Sequence, residues 1–288
     1  MAATRPSTWL ITGASSGFGK SLALAALNAG HKVLGATRSI PDAERSFPEF
    51  STKGGIWLSL DPGQRDSYEQ FAEVSREHDV DVLVNSAGYA FIGGVEDTAE
   101  EELRQQMEVN FYGPLRAVRA CLPVLRAKRC GSIVLISSGA GFQALPGRSA
   151  YASSKFAIEA MHESLRQEVK TFGIKVLIVE PGAFRTPFSS RLLTPAQYES
   201  TDGFSPDYKG TDVERMVMMT KGLNSIPDAI KGCPDKAATE ILKAIDGGHE
   251  YLRMILGKDC VRAMEQKLES LHSDLEATRA IASNVDID

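Results

Sequence analysis

TWLITGASSGFG, residues 8–19, runs from five residues suited to a buried strand directly into a glycine-rich turn. Beyond it, residues 17–29 place Leu22, Ala25, Ala26 and Ala29 at helical spacing, so the stretch reads strand, turn, helix. Gly13, Gly17 and Gly19, with Ser15, Ser16 and Phe18 between them, permit a tight turn and a close backbone approach to a pyrophosphate. The helix start then offers free N–H groups and a positive dipole end to such an anion. Three glycines in a strand-to-helix turn serve helix packing equally well, so the surrounding chain has to decide between the two uses.

Outward from that unit, the same alternation continues. KVLGATR (32–38), GIWLSL (55–60), DVLVNSA (81–87), SIVLISS (132–138), KVLIVEP (175–181) and YLRMIL (251–256) are short, apolar strand candidates. Helical stretches fall at about 65–78, 99–128, 151–171 and 234–246. Strands apolar on both faces, alternating with helices, imply an α/β fold: a doubly wound parallel sheet of about seven strands, covered on both sides. No domain boundary interrupts it, and residues 1–288 read as one domain with a substrate-loop insertion at about 186–232, rich in turn formers. Val261, Met264, Leu268, Leu271 and Leu275 alternate steps of three and four, giving a C-terminal amphipathic helix with a narrow apolar seam. Packing on its own subunit is the plainer expectation for that seam, and an interface with a partner the other.

Composition narrows the function. The 288 residues carry a net charge of −5 with both signs mixed along the chain, which gives no nucleic-acid footprint. No apolar run approaches the roughly 20 residues of a membrane span, and the N-terminus leaves no room for a signal peptide. The four cysteines show neither metal spacing nor a dense disulfide pattern. A cytoplasmic protein that uses no metal is expected.

At the end of the second strand, where NAD-preferring sites carry an acidic residue, the chain has Ala36-Thr37-Arg38. A guanidinium there suits a 2′-phosphate and favours NADP(H), against the alternative of a solvated surface arginine. Asp61 follows the third strand, and either accepts from an adenine amino group or starts an Asx turn. Asn85, Ala87 and Gly88 close the fourth strand, where Asn85 braces either the sheet or a ribose.

With TGASSGFG (12–19), Asp61, NSAG (85–88), Asn110 in MEVNFYG, Ser138 in LISSGAG, YASSK (151–155) and EPGAFRT (180–186) in this order, the chain resembles the short-chain dehydrogenase/reductase family along nearly all its length. GHKVLGATR and IVEPGAFRT are similar to its 17β-hydroxysteroid dehydrogenase-like branch. The resemblance implies a Rossmann-like fold and a catalytic group of Asn110, Ser138, Tyr151 and Lys155. It also implies a cofactor site that includes Tyr151, Lys155, Pro181, Gly182, Phe184 and Thr186, and exposure of the nicotinamide face that delivers the 4-pro-S hydride. Ser86, in place of the family's usual second asparagine, and the bulky Trp9 depart from the pattern.

The residue chemistry agrees. A free phenol has a pKa near 10, too high for a base at neutral pH, and Lys155 lies one helical turn from Tyr151 on the same face. Its ammonium is expected to lower the phenol's pKa. Ser138 is placed to stabilise charge on a substrate oxygen, and Asn110 to interrupt a long helix and hold a water beside Lys155. The expected activity is interconversion of a ketone and a secondary alcohol. A redox-neutral isomerase or dehydratase, and a non-catalytic NADP(H) sensor, are the alternatives.

Phe91, Phe142, Leu145, Phe188, Tyr198, Phe204, Met216, Met218 and Met219 are either substrate walls suited to a lipophilic small molecule or core beneath a loop. Family members pair through the helices at 99–128 and 151–171, which implies a homodimer or homotetramer.

Overall fold

The computed structural model describes residues 6–223, 226, 229–282 and 284–285. Seven strands form one parallel sheet: β1 (Thr8–Thr12), β2 (Lys32–Thr37), β3 (Ile56–Ser59), β4 (Val82–Asn85), β5 (Gly131–Ile136), β6 (Ile174–Pro181) and β7 (Arg253–Leu256). Their order is β3-β2-β1-β4-β5-β6-β7. The order reverses between β1 and β4, so a crevice opens at the C-terminal ends of those strands.

Alternate residues of each strand feed opposite layers. Leu10, Leu34, Leu83 and Ile133 face α4 (Ser67–Glu77), α6 (Gly113–Lys128) and α7 (Ser149–Val169), meeting Phe71, Leu125 and Leu165. Trp9, Ile11, Val33 and Val84 face α1 (Gly17–Asn28) and α9 (Pro234–Asp246), meeting Leu22, Ala26 and Ile241. Trp9 is fully buried; its indole N–H donates to Ser7 Oγ at 2.9 Å and its ring lies 5.5 Å from His31.

Two segments differ from the sequence reading, 39–52 and 212–222, and a third is broken at Asn110, as that reading expects. Residues 39–52 form two short helices, α2 (Ile40–Ser46) and α3 (Pro48–Thr52), where no element was expected. Ser39 caps the first by accepting from Asp42 N, and Phe50 buries the second against Trp57. The stretch 99–128 is not continuous: α5 (Glu100–Met107) passes through a π turn (Glu108–Tyr112) into α6, and Asn110 sits in that turn. The insertion contains a helix, α8 (Asp212–Gly222), capped by Thr211 Oγ accepting from Val213 N.

The C-terminal helix, α10 (Lys258–Ala282), forms as expected but does not pack its seam on its own subunit. Cys260 in its first turn is buried, whereas Leu268, Leu271 and Leu275 are each at least half exposed. Residues 268–282 are exposed throughout, so those leucines have no core beneath them among the described residues. No helix among the described residues is long and apolar enough to cross a membrane, and none of their side chains cluster as metal ligands.

Candidate active site

The turn after β1 is shaped by what its glycines omit. Gly13 has φ +65°, and a Cβ there would lie 2.9 Å from Ala87 Cα, so the β1 and β4 ends approach as only a glycine allows. Thr12 Oγ1 locks the same junction, accepting from Ser86 N at 3.0 Å and Ala87 N at 3.1 Å. Thr12 is a contributor that the sequence reading passed over. Ser86 joins this lock through its backbone N–H, so the bond does not depend on the side chain there. Gly17 starts α1, whose first turn holds no acidic side chain. A Cβ on Gly19 would meet Gly13 O at 2.4 Å, so Gly19 serves close packing behind the turn and does not line the cleft.

A cleft of about 1050 Å³ runs from this turn across the strand ends. Ser15, Ser16, Phe18 and Arg38 line one end, with Asp61 beside them; Ala87, Gly88, Ser138, Tyr151 and Lys155 line the middle, and Pro181, Gly182, Phe184 and Thr186 the far wall. Asp61 forms the Asx turn, its Oδ1 accepting from Gly63 N at 2.9 Å, and still borders the cleft. Asn85, the buried last residue of β4, does not line it, and its side-chain amide has no hydrogen-bond partner among the described residues. The cradle made by Gly13 and Gly17, the acid-free start of α1 and the guanidinium at the end of β2 together fit a phosphate-bearing dinucleotide.

Ser138, Tyr151 and Lys155 line the middle of the cleft, and Asn110 is buried beside them. Asn110 is buried in the π turn and clamps Tyr89: its Nδ2 donates to Tyr89 O at 3.0 Å and its Oδ1 accepts from Tyr89 N at 3.2 Å. A Cβ on Gly88 would lie 3.1 Å from Asn110 Oδ1 and 3.9 Å from Lys155 Nζ, which places those two groups around one point. Asn110 itself stays behind the wall. Lys155 Nζ donates to Ile136 O at 3.0 Å, and its burial lowers its pKa to about 8, partly offset by the charge of Glu159. Burial pushes the Tyr151 phenol up to about 12, against a hydrogen bond from Ser138 and the positive charge of Arg148.

Of the charged groups around the phenol, Arg148 favours its ionised form and Glu159 opposes it, and Lys155 Nζ stands 5.9 Å from the centre of the Tyr151 ring.

Behind these residues lies a buried ionic cluster absent from the sequence reading. Arg253 on β7 donates to Glu159 on α7 and Glu180 on β6, while Ser137 donates to Glu159. Three of its members neighbour a cleft residue: Ser137 precedes Ser138, Glu159 follows Lys155 by one turn, and Glu180 precedes Pro181. Burial, and then the charge of Glu159, push the Glu180 carboxyl above the usual carboxylate range, and Arg253 pulls it back. Gly141 belongs to the same construction, since any Cβ there would collide with the Glu159 carboxylate. The pairings span 94 and 73 residues of chain, and no local signal announces them.

The insertion covers one side of the cleft. Leu145, Phe188 and Met219 line it, whereas Phe91, Phe142 and Phe204 are core residues and Met218 points to solvent. Tyr198 and Met216 do not reach it. Arg191 crosses from the insertion to the glycine turn, its Nη1 donating to Ser16 Oγ at 3.0 Å.

Comparisons with known proteins agree with this geometry. The family pattern described as short chain dehydrogenase matches residues 7–196. The chain is 48% identical over 201 residues to the oxidoreductase claN of Passalora fulva, covering 69% of this chain and 92% of that protein. It is 34% identical over 244 residues to a 3-ketodihydrosphingosine reductase of Bacteroides thetaiotaomicron, with 84% of each covered. A crystal structure of a short-chain dehydrogenase from Streptomyces avermitilis superposes with a TM-score of 0.83 at 37% identity, over 98% of this chain and all of that one. The sheet order, the glycine turn and these matches have one reading: the chain belongs to the short-chain dehydrogenase/reductase family of oxidoreductases.

Proposed function

We propose that the protein is an NADP(H)-dependent oxidoreductase interconverting a ketone and a secondary alcohol on a lipophilic small molecule, with Tyr151 as the acid/base. The observation that carries this reading is the convergence of Tyr151, Ser138 and Lys155 on the wall of a cleft that begins at the glycine turn and Arg38. When bound, NADP(H) supplies or accepts the hydride. In the reductive direction Tyr151 gives its phenolic proton to the carbonyl oxygen, and in the oxidative direction takes it back. Ser138, already hydrogen-bonded to Tyr151, donates to the same substrate oxygen as charge develops there. Lys155 holds ribose hydroxyls and returns a proton to Tyr151. Asn110 fixes the Tyr89 backbone beside them and borders the point at which a water would pass protons to Lys155.

NADP(H) is preferred to NAD(H) because Arg38 lines the cleft where an acceptor for ribose hydroxyls is missing. The keto group in the name of the Bacteroides relative supports a carbonyl substrate, and Leu145, Phe188, Met219 and Leu223 support an apolar one. We read residues 1–288 as one domain whose insertion at 186–232 forms the substrate wall. We read the assembly as a homodimer or homotetramer paired through α5–α7, where Leu103, Tyr112 and Phe156 are exposed. Four unpaired cysteines support a cytoplasmic setting.

The product's mass tests the reaction. A reductase yields a product two hydrogens heavier than its ketone, and an isomerase or dehydratase does not.

A further inference from the structure

Arg148 is the last residue before α7, three positions ahead of Tyr151, and its side chain lines the same cleft. Its Nη2 donates to Thr220 Oγ1 at 2.9 Å, and its Nε is buried with no hydrogen-bond partner. No carboxylate of the described residues pairs with it. The acids that line the cleft are engaged elsewhere. Asp61 closes its own turn, Glu108 pairs with Arg116 at 2.5 Å, and Asp259 accepts from Ala183 N at 2.7 Å. Around Arg148 the walls are otherwise apolar or neutral: Leu145, Met219, Leu223 and Thr220.

A guanidinium half-withdrawn from water without an anion costs free energy. A protein that keeps one beside its reacting centre recovers that cost when the counter-ion arrives from outside. Arginine's planar fork suits an oxyanion with two acceptor oxygens. We propose that Arg148 anchors an anionic group of the substrate, so that the cleft takes an apolar carbonyl compound or alcohol bearing a carboxylate or comparable oxyanion. The proposal deepens the oxidoreductase reading and rests on it for the carbonyl. The apolar walls hold the skeleton, Arg148 holds the acid, and the span between them sets which carbonyl reaches Tyr151.

The test uses purified protein saturated with NADPH, and three keto acids of increasing span from carbonyl to carboxylate: phenylglyoxylate, ortho-benzoylbenzoate and 4-benzoylbutyrate. Each is titrated beside its methyl ester, with binding read from nicotinamide fluorescence. The native protein is expected to bind at least one acid about tenfold or more tighter than its ester. Arg148→Met is expected to bring that ratio to within about twofold, with NADPH affinity and thermal midpoint as checks on folding. Arg148→Lys is expected to retain part of the preference, and Thr220→Val, which removes only the neutral partner, to retain all of it.

No preference for any acid in the native protein, or a preference that survives Arg148→Met, overturns the proposal. Following NADPH oxidation in the same samples separates the two readings. An Arg148-dependent acid preference with none of the compounds reduced keeps the anchor and counts against the reductase. Reduction of the esters with no acid preference does the reverse.

Discussion

Lys155 Nζ lies 5.9 Å from the centre of the Tyr151 ring and donates to Ile136 O at 3.0 Å. The two side chains share a face of α7 within a buried pocket. Burial acts on them in opposite directions, lowering the ammonium's pKa to about 8 and raising the phenol's to about 12. The positive form of Lys155 therefore persists below about pH 8 and is lost as pH rises through it. If that form holds ribose hydroxyls, NADPH affinity is level at neutral pH and declines above about pH 8. Lys155→Met is expected to bind NADPH more weakly throughout, with no inflection near pH 8. Fluorescence titrations between about pH 6.5 and 9.5 check this. An unchanged inflection in the variant assigns it to another group.

Arg38 sets cofactor choice in this account. Replacing it with aspartate removes the 2′-phosphate partner and supplies an acceptor for ribose hydroxyls. Arg38→Asp is expected to weaken NADPH about 100-fold relative to NADH, the scale of one or two charge-assisted hydrogen bonds. The ratio of the two dissociation constants reads this directly. An unaltered ratio returns Arg38 to the role of a surface arginine.

Arg253 pairs with two buried carboxylates, Glu159 and Glu180. Arg253→Met leaves both without a counter-ion and is expected to destabilise the fold by about 3 kcal/mol. Adding Glu159→Gln and Glu180→Gln to that variant removes the uncompensated charge and is expected to restore much of the loss. Urea midpoints at pH 7 measure both effects. Equal midpoints for native protein and Arg253→Met contradict the stabilising role.

His162 is fully buried on α7, its Nδ1 donating to Ile158 O at 2.8 Å, and burial lowers its pKa to about 4. An unfolded chain protonates this histidine near 6.5, whereas the folded chain refuses the proton until about pH 4. Between those values the unfolded state binds more protons, so the contribution is complete above about pH 6.5 and lost as pH falls toward 4. It amounts to about 3 kcal/mol. His162→Leu is expected to flatten the fall in urea midpoint between pH 7 and 5, and a parallel fall in both proteins contradicts the assignment.

The sheet was legible from the sequence because each strand is a short apolar run with a helix behind it. Thr8–Thr12 and Pro234–Asp246 fall where their patterns place them. Residues 39–52 and 212–222 were not read as helices, although Ser39, Pro41 and Pro48 in the first and Thr211 in the second are helix-start signals. Surrounding turn formers obscured them. The cleft's backbone motifs were legible because glycine and its neighbours act locally. Arg148 and the Glu159–Arg253–Glu180 cluster were not, because their meaning depends on partners held, or not held, across more than 70 residues of chain. The seam on α10 had the right period, but periodicity says nothing about what lies opposite.

Proton transfer by Tyr151, coupled to hydride from NADPH, is the central claim, and one isotope experiment addresses it. Native protein and Tyr151→Phe are each loaded with NADPH deuterated at the 4-pro-S position and incubated with a panel of ketones that includes the keto acids and esters above. Products are then searched by mass for deuterium. Labelled alcohol from the native protein, with formation slowed at least about 100-fold in Tyr151→Phe while NADPH still binds, is the predicted result. Label transferred equally by both proteins contradicts the account.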